Sequence, residues 1–276
     1  MGWPFGVMDL TPNSKVSRTA SVQVDGGEFA DLLNRVTLDS PPAPVRILFE
    51  SSGVSVWTLN VSKTIQCLIT RWPLAGLKVK EPCVILADPK DLSDVVRAKS
   101  RGEAIRISTN ASEPIMIGTK NQGGAEVMPA DEDDCLLIPD RWVLPHDENG
   151  NITFPMFDNQ PATATAEISV EELRKAYHEM MTAKAPYVVI TFDNKSEARS
   201  GHWTSKTTRS WVPLEAKVNG PFTMSMTESF KTLLNLFHSS TTMLKISKHE
   251  DGQFVAIEAM DGPSTTTVAT EAIKEA

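Results

Sequence analysis

Five histidines, three cysteines and a run of acids are the side chains of this sequence with the most chemistry to offer. Histidine moves protons near neutral pH and cysteine binds metal or attacks electrophiles, but each role needs partners at set spacings. Cys67, Cys83 and Cys135 fit neither a disulfide framework nor the paired spacing of a zinc site, so they read as buried free thiols. His146, Asp147 and Glu148 could be drawn as an acid–base set, yet they fall in HDENGN, a turn-rich stretch where charge is solvated. The acids Asp131, Glu132, Asp133 and Asp134 would attract a divalent cation only weakly, because they lack the spaced oxygens and glycine of a dedicated calcium loop. His202 beside Trp203, and His238, have nothing near them in sequence to make an acid, a base or a ligand. There is no Gly-rich phosphate loop, no HExxH and no GxSxG. The sequence therefore predicts no enzyme, no metal and no cofactor.

What recurs instead is a short apolar strand that runs into a helix. The four copies are VQVDGGEFADLLNRV from Val22, VILADPKDLSDVVRA from Val84, AEISVEELRKAYHEM from Ala166 and FTMSMTESFKTLLNLF from Phe222. An anchor in each (Phe29, Leu92, Leu173, Phe230) is followed three and four residues later by Leu32/Leu33, Val95/Val96, Ala176/Tyr177 and Leu233/Leu234. That spacing is one stripe of a 3.6-residue helix. Recurrence at intervals of roughly 60–80 residues is too long for a solenoid of short repeats and points to duplicated domains.

Between the helices the pattern is that of strands. Val45–Ile69 holds three strand candidates, broken at Ser51-Ser52-Gly53 and near Asn60. EAIRIST, EPIMIGT and a segment near Ala125 follow the second helix; APYVVITFD, a stretch through Trp203 and TTRSWVPLEA follow the third. TMLKISKHE and QFVAIEAMD follow the fourth, joined at Asp251-Gly252, a hairpin signal. Strand, helix, then several antiparallel strands is an α+β pattern with helices on one face of a sheet.

The chain's 276 residues suffice for two such domains, and its 41% apolar and 22% charged content is that of a globular protein. No apolar run reaches the ~20 residues of a membrane-spanning helix, and the N-terminus has no secretory pattern, so an intracellular protein is expected. The net charge of −8 argues against a surface that is basic throughout but leaves room for a local basic stripe. Residues 1–19 lack any period and read as a flexible tail, 20–128 as the first domain and 162–276 as the second. Residues 129–161, with five prolines, read as the connector. Within that connector, CLLIPDRWVLP carries Leu136, Leu137, Ile138, Trp142 and Leu144. These form either a strap packed on a domain or a docking surface for a partner peptide.

With those residues in view, the chain resembles the DNA sliding clamps of the proliferating-cell-nuclear-antigen type and the processivity clamps of tailed phages. FESSGVSVWTLNVSKTIQCLI is similar to the strand pair after the first clamp helix, with Asn60 where an Asp usually stands. ITFPMFDNQPATATAEISVEELRKAY is similar to the linker exit and first helix of the second domain in the phage clamps. TTTVATEAIKEA occupies the place of the cellular clamps' C-terminal segment and matches it only in an alanine and an acidic end. The resemblance spans about residues 20 to 275.

That resemblance implies two similar domains of the clamp fold, each with two strand-helix-strands units. It also implies a head-to-tail homotrimeric ring that encircles double-stranded DNA, without reading its sequence, and tethers a polymerase. Positions one and five after each anchor, opposite the buried stripe, are Ala30 and Asn34, Ser93 and Arg97, Arg174 and His178, and Lys231 and Asn235; none is acidic. The implied DNA-facing residues are Arg35, Lys90, Arg97, Lys99, Arg101, Arg174, Lys175, Lys184 and Lys231, although basic residues near helix C-termini also suit the helix dipole. A pocket for peptides of the polymerase and clamp loader is implied at Leu59, Leu137, Ile138, Pro139, Val268 and Ala269. Two alternatives stay open: a monomeric or dimeric processivity factor of the same fold, and a scaffold that does not bind DNA.

Overall fold

The computed structural model describes residues 17, 19–38, 42–60, 65–101, 103–110, 113–120, 123–131, 161–185, 187–193, 197–203, 209–227, 230–249 and 254–271. The chain divides into two compact units, the first from Met1–Thr58 and Leu68–Asp147, the second from Leu59–Cys67 and Glu148–Ala276. Both are α+β, with antiparallel strands and helices, as the sequence predicts.

In the first half of the chain the order is β1 (Thr19–Asp25), α1 (Gly26–Val36), β2 (Val45–Glu50), β3 (Gly53–Leu59), β4 (Ile65–Trp72), β5 (Lys78–Val79), β6 (Cys83–Ala87), α2 (Pro89–Ser100), β7 (Ala104–Asn110), β8 (Ile115–Gly118) and β9 (Ala125–Val127). Hydrogen bonding arranges them as β5-β1-β7-β8-β9 and as β4-β3-β2-β6. The second half runs β10 (Ala162–Ser169), α3 (Val170–Thr182), β11 (Tyr187–Phe192), β12 (Glu197–Trp203), β13 (Arg209–Asn219), β14 (Phe222–Thr227), α4 (Phe230–Asn235), β15 (Met243–His249), β16 (Phe254–Ala259) and β17 (Thr265–Glu271). Its strand order is β14-β11-β12-β13-β10-β15-β16-β17. The hairpin residues Asp251 and Gly252 lie outside the described residues, but the strands on either side of them pair antiparallel, Lys248 opposite Val255.

One strand shows how closely the two units repeat each other. The first part of β13, Arg209–Glu215, pairs with β12, and its last four residues, Ala216–Asn219, pair with β10. In the first unit the same path is cut in two. There β4 lies beside β3, β5 pairs with β1, and Pro73 stands in the gap between them. With β4 and β5 taken as one broken strand, the two strand orders coincide. The duplication read from four helical stripes thus extends to the sheets.

The helices form where apolar spacing, caps and starting residues agree. Asp25, Asp88 and Ser169 each accept a backbone N–H from the first turn of α1, α2 and α3, and Pro89 opens α2 where its missing N–H costs nothing. Phe29, Leu32, Leu33, Leu92, Val96, Leu173 and Ala176 are wholly buried; Val95 and Tyr177 are half-buried at the margins of their stripes. Fully burying a Leu or Phe stabilises by about 1.5–3 kcal/mol, so these stripes dominate the attachment of each helix.

The expectation that Ala30 and Ser93 face outward is corrected by the structure. Both are fully buried, because α1 and α2 pack side by side along these small residues. Ser93 Oγ donates to the Ala30 carbonyl at 3.3 Å and to Asn34 Oδ1 at 3.1 Å, so the hydroxyl is satisfied inside the contact. Cys67 and Cys83 are buried free thiols, both pushed above the usual thiol range by burial; Cys135 lies outside the described residues. Among the described residues no cluster of ligating side chains could hold a metal, and no helix is long and apolar enough to cross a membrane.

Close approach of α1 to α2 makes Gly26 indispensable. A Cβ there would collide with the Cβ of Ser100 and press against Ile105 at 3.1 Å. We expect Gly26→Ala to destabilise by about 1–3 kcal/mol in urea unfolding, an overpacking cost. Adding Ser100→Gly should cost less than the sum of the two single changes, because it removes the colliding atom.

A second prediction concerns acid. Asp261, between β16 and β17, accepts from the backbone N–H of Thr242 at 2.8 Å and of Met243 at 3.1 Å, and from the Thr242 hydroxyl. Desolvation raises its pKa, but these hydrogen bonds outweigh it and hold the carboxyl below its ordinary value. A depressed folded pKa gives stability that is present above the unfolded value, near 3.9, and is lost as pH falls through the folded one. Asp261→Asn should therefore reduce stability at neutral pH and flatten its decline below about pH 4, measured by urea unfolding across pH.

Candidate nucleic-acid interface

The nine basic residues singled out in the sequence do not form one uniform stripe. Lys90, Arg97, Arg101, Arg174, Lys175, Lys184 and Lys231 are exposed; Arg35 and Lys99 are half-buried. Arg35, in the last turn of α1, lies over the Trp72 ring at 5.6 Å, a cation–π contact that turns part of its guanidinium inward. Lys99 Nζ donates to the Gly123 carbonyl at 3.1 Å, which ties the end of α2 to the segment before β9. Arg101 caps α2 in a left-handed conformation, φ 39°, and Lys184 has φ 52° just beyond α3. Both are placed by helix termination, where a cation also suits the carbonyl end of the dipole.

Arg97 has a partner that sequence spacing cannot show. Its Nη2 lies 3.1 Å from Asp31 Oδ1, across the α1–α2 contact, with both side chains more than half exposed. The pair brings together residues 66 positions apart and neutralises the outer face at that point. In the second unit Lys175 is held differently, donating to the Pro213 carbonyl at 3.0 Å with Glu172 Oε2 at 3.7 Å. Arg174 and Lys231 form no hydrogen bond or ion pair among the described residues.

The residues that fix these helices include two glutamates that carry a local signal in the sequence. Asp25-x-x-Glu28 and Ser169-x-x-Glu172 have capping-box spacing, and Asp25 and Ser169 do accept the N–H of the third helical residue, at 2.9 and 3.1 Å. Each glutamate also reaches across to a strand path. Glu28 Oε2 accepts from Ala75 N at 2.6 Å, and Glu172 Oε2 accepts from Glu215 N at 3.0 Å. Ala75 lies in the gap between β4 and β5, and Glu215 at the change of partner along β13. The same carboxylate in each unit therefore anchors a helix N-terminus to the place where a strand leaves one pairing for another.

The peptide-pocket residues are placed less openly. Leu59 is 8% exposed and Val268 and Ala269 are wholly buried, so these three side chains are covered by the chain itself. Val268 stands opposite Ile257 and Ala269 opposite Ala256 in the β16–β17 ladder. Leu137, Ile138 and Pro139 lie outside the described residues, as do His146, Asp147 and Glu148.

No family model matches the sequence, and no curated protein does. Solved structures do match the fold. One is the proliferating cellular nuclear antigen of Entamoeba histolytica, with TM-score 0.63 and 12% identity over 92% of this chain and 99% of that one. Another is the PCNA2–PCNA3 complex of Sulfolobus tokodaii, with TM-score 0.61 and 10% identity over 92% of this chain and 100% of that one. The chain has the sliding-clamp fold. At such identity the side chains are almost wholly replaced while the topology is kept, so the clamp fold is specified here by its apolar stripes, caps and strand junctions.

The Asp31–Arg97 pair allows a direct check on how the clamp fold is held. Exposed ion pairs contribute about 0–1 kcal/mol because water screens both charges and two side chains are ordered. Asp31→Ala should therefore shift the urea midpoint slightly, by less than Gly26→Ala; an equal or larger loss would show that the pair carries the α1–α2 contact.

Proposed function

We propose that this chain is a DNA sliding clamp, a non-catalytic scaffold that closes into a homotrimeric ring around duplex DNA and tethers a replicative polymerase. The observation that carries this reading is the duplicated clamp fold over 92% of the chain. Its helices bury one face and leave Lys90, Arg97, Arg174, Lys175 and Lys231 exposed. A sliding protein needs cations that meet phosphates without reading bases, and scattered lysine and arginine meet that need. The benefit of the tether is a high effective concentration of polymerase at the primer end. The polymerase and a clamp loader would engage the clamp through short peptides at the connector that carries Leu137, Ile138 and Pro139.

Ring closure would use two sheet edges. Strand β9 pairs only with β8, and residues 209–215 of β13 pair only with β12, among the described residues. An unpaired edge is a template for another chain, and a head-to-tail contact between two different edges generates a ring. Large apolar side chains sit at both: Met128, just after β9, is 71% exposed, and Trp211 on β13 is 42% exposed. Pairing β9 of one copy with β13 of the next would cover them.

Light scattering coupled to size-exclusion chromatography tests this reading. The expected mass is about three times the 30.2 kDa of one chain. Met128→Asp should lower it to that of the monomer with the far-UV circular dichroism unchanged. A wild-type protein that stays monomeric at high concentration would exclude the ring.

A further inference from the structure

We propose that the grip on DNA is unequal between the two units, with the phosphate contacts concentrated on the α3–α4 face and nearly absent from the α1–α2 face. The inference rests on the sliding-clamp reading and names which half of the chain serves it. Counting from the buried anchors Phe29 and Leu173, Ala30 on α1 corresponds to Arg174 on α3. Counting from Leu92 and Phe230, Ser93 on α2 corresponds to Lys231 on α4. In the first unit these positions are the small residues buried where the helices meet. In the second unit they are two exposed cations with no partner among the described residues.

The balance of exposed charge follows the same division. On α1 and α2 the exposed ionisable residues are Glu28, Asp31, Asp91 and Asp94 against Lys90 and Arg97, and Asp31 already holds Arg97. On α3 and α4 they are Glu171 against Arg174, Lys175 and Lys231, with His178 neutral at pH 7. Among the exposed side chains alone, α1 and α2 have a surplus of two negative charges and α3 and α4 a surplus of two positive charges; the charges that would balance them, Arg35 and Lys99 in the first pair and Glu172 and Glu179 in the second, are half-buried. A polyanion at the first face would meet repulsion and would have to displace Asp31 before reaching Arg97. At the second it would meet Arg174 and Lys231, which hold no ion pair among the described residues, so counterion release at these two cations breaks none. Glu172, 3.7 Å from Lys175, is half-buried and also accepts the Glu215 N–H, and Glu179, one turn beyond Lys175 on α3, is half-buried too.

The test is equilibrium binding of the full-length protein to a labelled duplex, followed by fluorescence anisotropy across a series of salt concentrations. Two double variants are compared, Arg174→Ala with Lys231→Ala, and Lys90→Ala with Arg97→Ala. Loss of a phosphate contact lowers the slope of log K against log salt by about 1. The α3–α4 variant should therefore lose about two units of slope, while the α1–α2 variant should keep the wild-type slope. Asp31→Asn, which releases Arg97, should raise affinity and steepen the slope. Equal losses from the two double variants would overturn the unequal grip and leave the clamp reading in place. Absence of any salt-dependent duplex binding by the unaltered protein would overturn both.

Discussion

Phe29, Leu32 and Leu33 on α1 and Leu173, Ala176 and Met180 on α3 are buried against their own units, and this burial decides where every charge on those helices can go. At about 1.5–3 kcal/mol for each fully buried large apolar side chain, one stripe outweighs any exposed ion pair on the opposite face. Rotation of a helix about its axis would exchange apolar for charged residues and is strongly disfavoured. The outward residues are thus fixed by the inward ones, and surface charge can vary without disturbing the fold. That freedom is consistent with a chain that keeps the topology of clamps at 10–12% identity.

Within that frame the two units solve the same problem with different side chains. Both must start a helix directly after a strand, and both place an acceptor at the cap with a glutamate three residues on. The glutamate is then used to hold a strand path where its pairing changes, through the Ala75 N–H in one unit and the Glu215 N–H in the other. A hydrogen bond to a carboxylate is worth about 1.5–3 kcal/mol, more than a neutral one, which suits a junction that lacks regular ladder bonds. The helix pairs differ more. Small residues at Ala30 and Ser93 let α1 and α2 close on each other, whereas Arg174 and Lys231 leave the corresponding faces of α3 and α4 to solvent.

Much of this was legible in the sequence because it rests on local periodicity. Four anchors with apolar partners at three and four residues gave the helices, and alternation with turn signals gave the strands between them. Capping spacing at Asp25–Glu28 and Ser169–Glu172 was equally local and could have sharpened the helix starts. What a linear reading could not supply is contact between distant elements. The outward assignment of Ala30 and Ser93 failed because helical spacing describes one helix at a time, and nothing in either segment announces a neighbouring helix. The Asp31–Arg97 pair is hidden for the same reason. As a result, the set of basic residues implied to face DNA is partly neutralised in the first unit, where Asp31 holds Arg97.

In the proposed assembly, two copies of one unit per chain build a closed ring with a central opening. Electron micrographs of the purified protein test it without depending on DNA, polymerase or loader. The account predicts class averages of a ring with a central hole and six similar lobes, two from each of three chains. Compact particles with no opening, in a preparation shown to be folded, would contradict it.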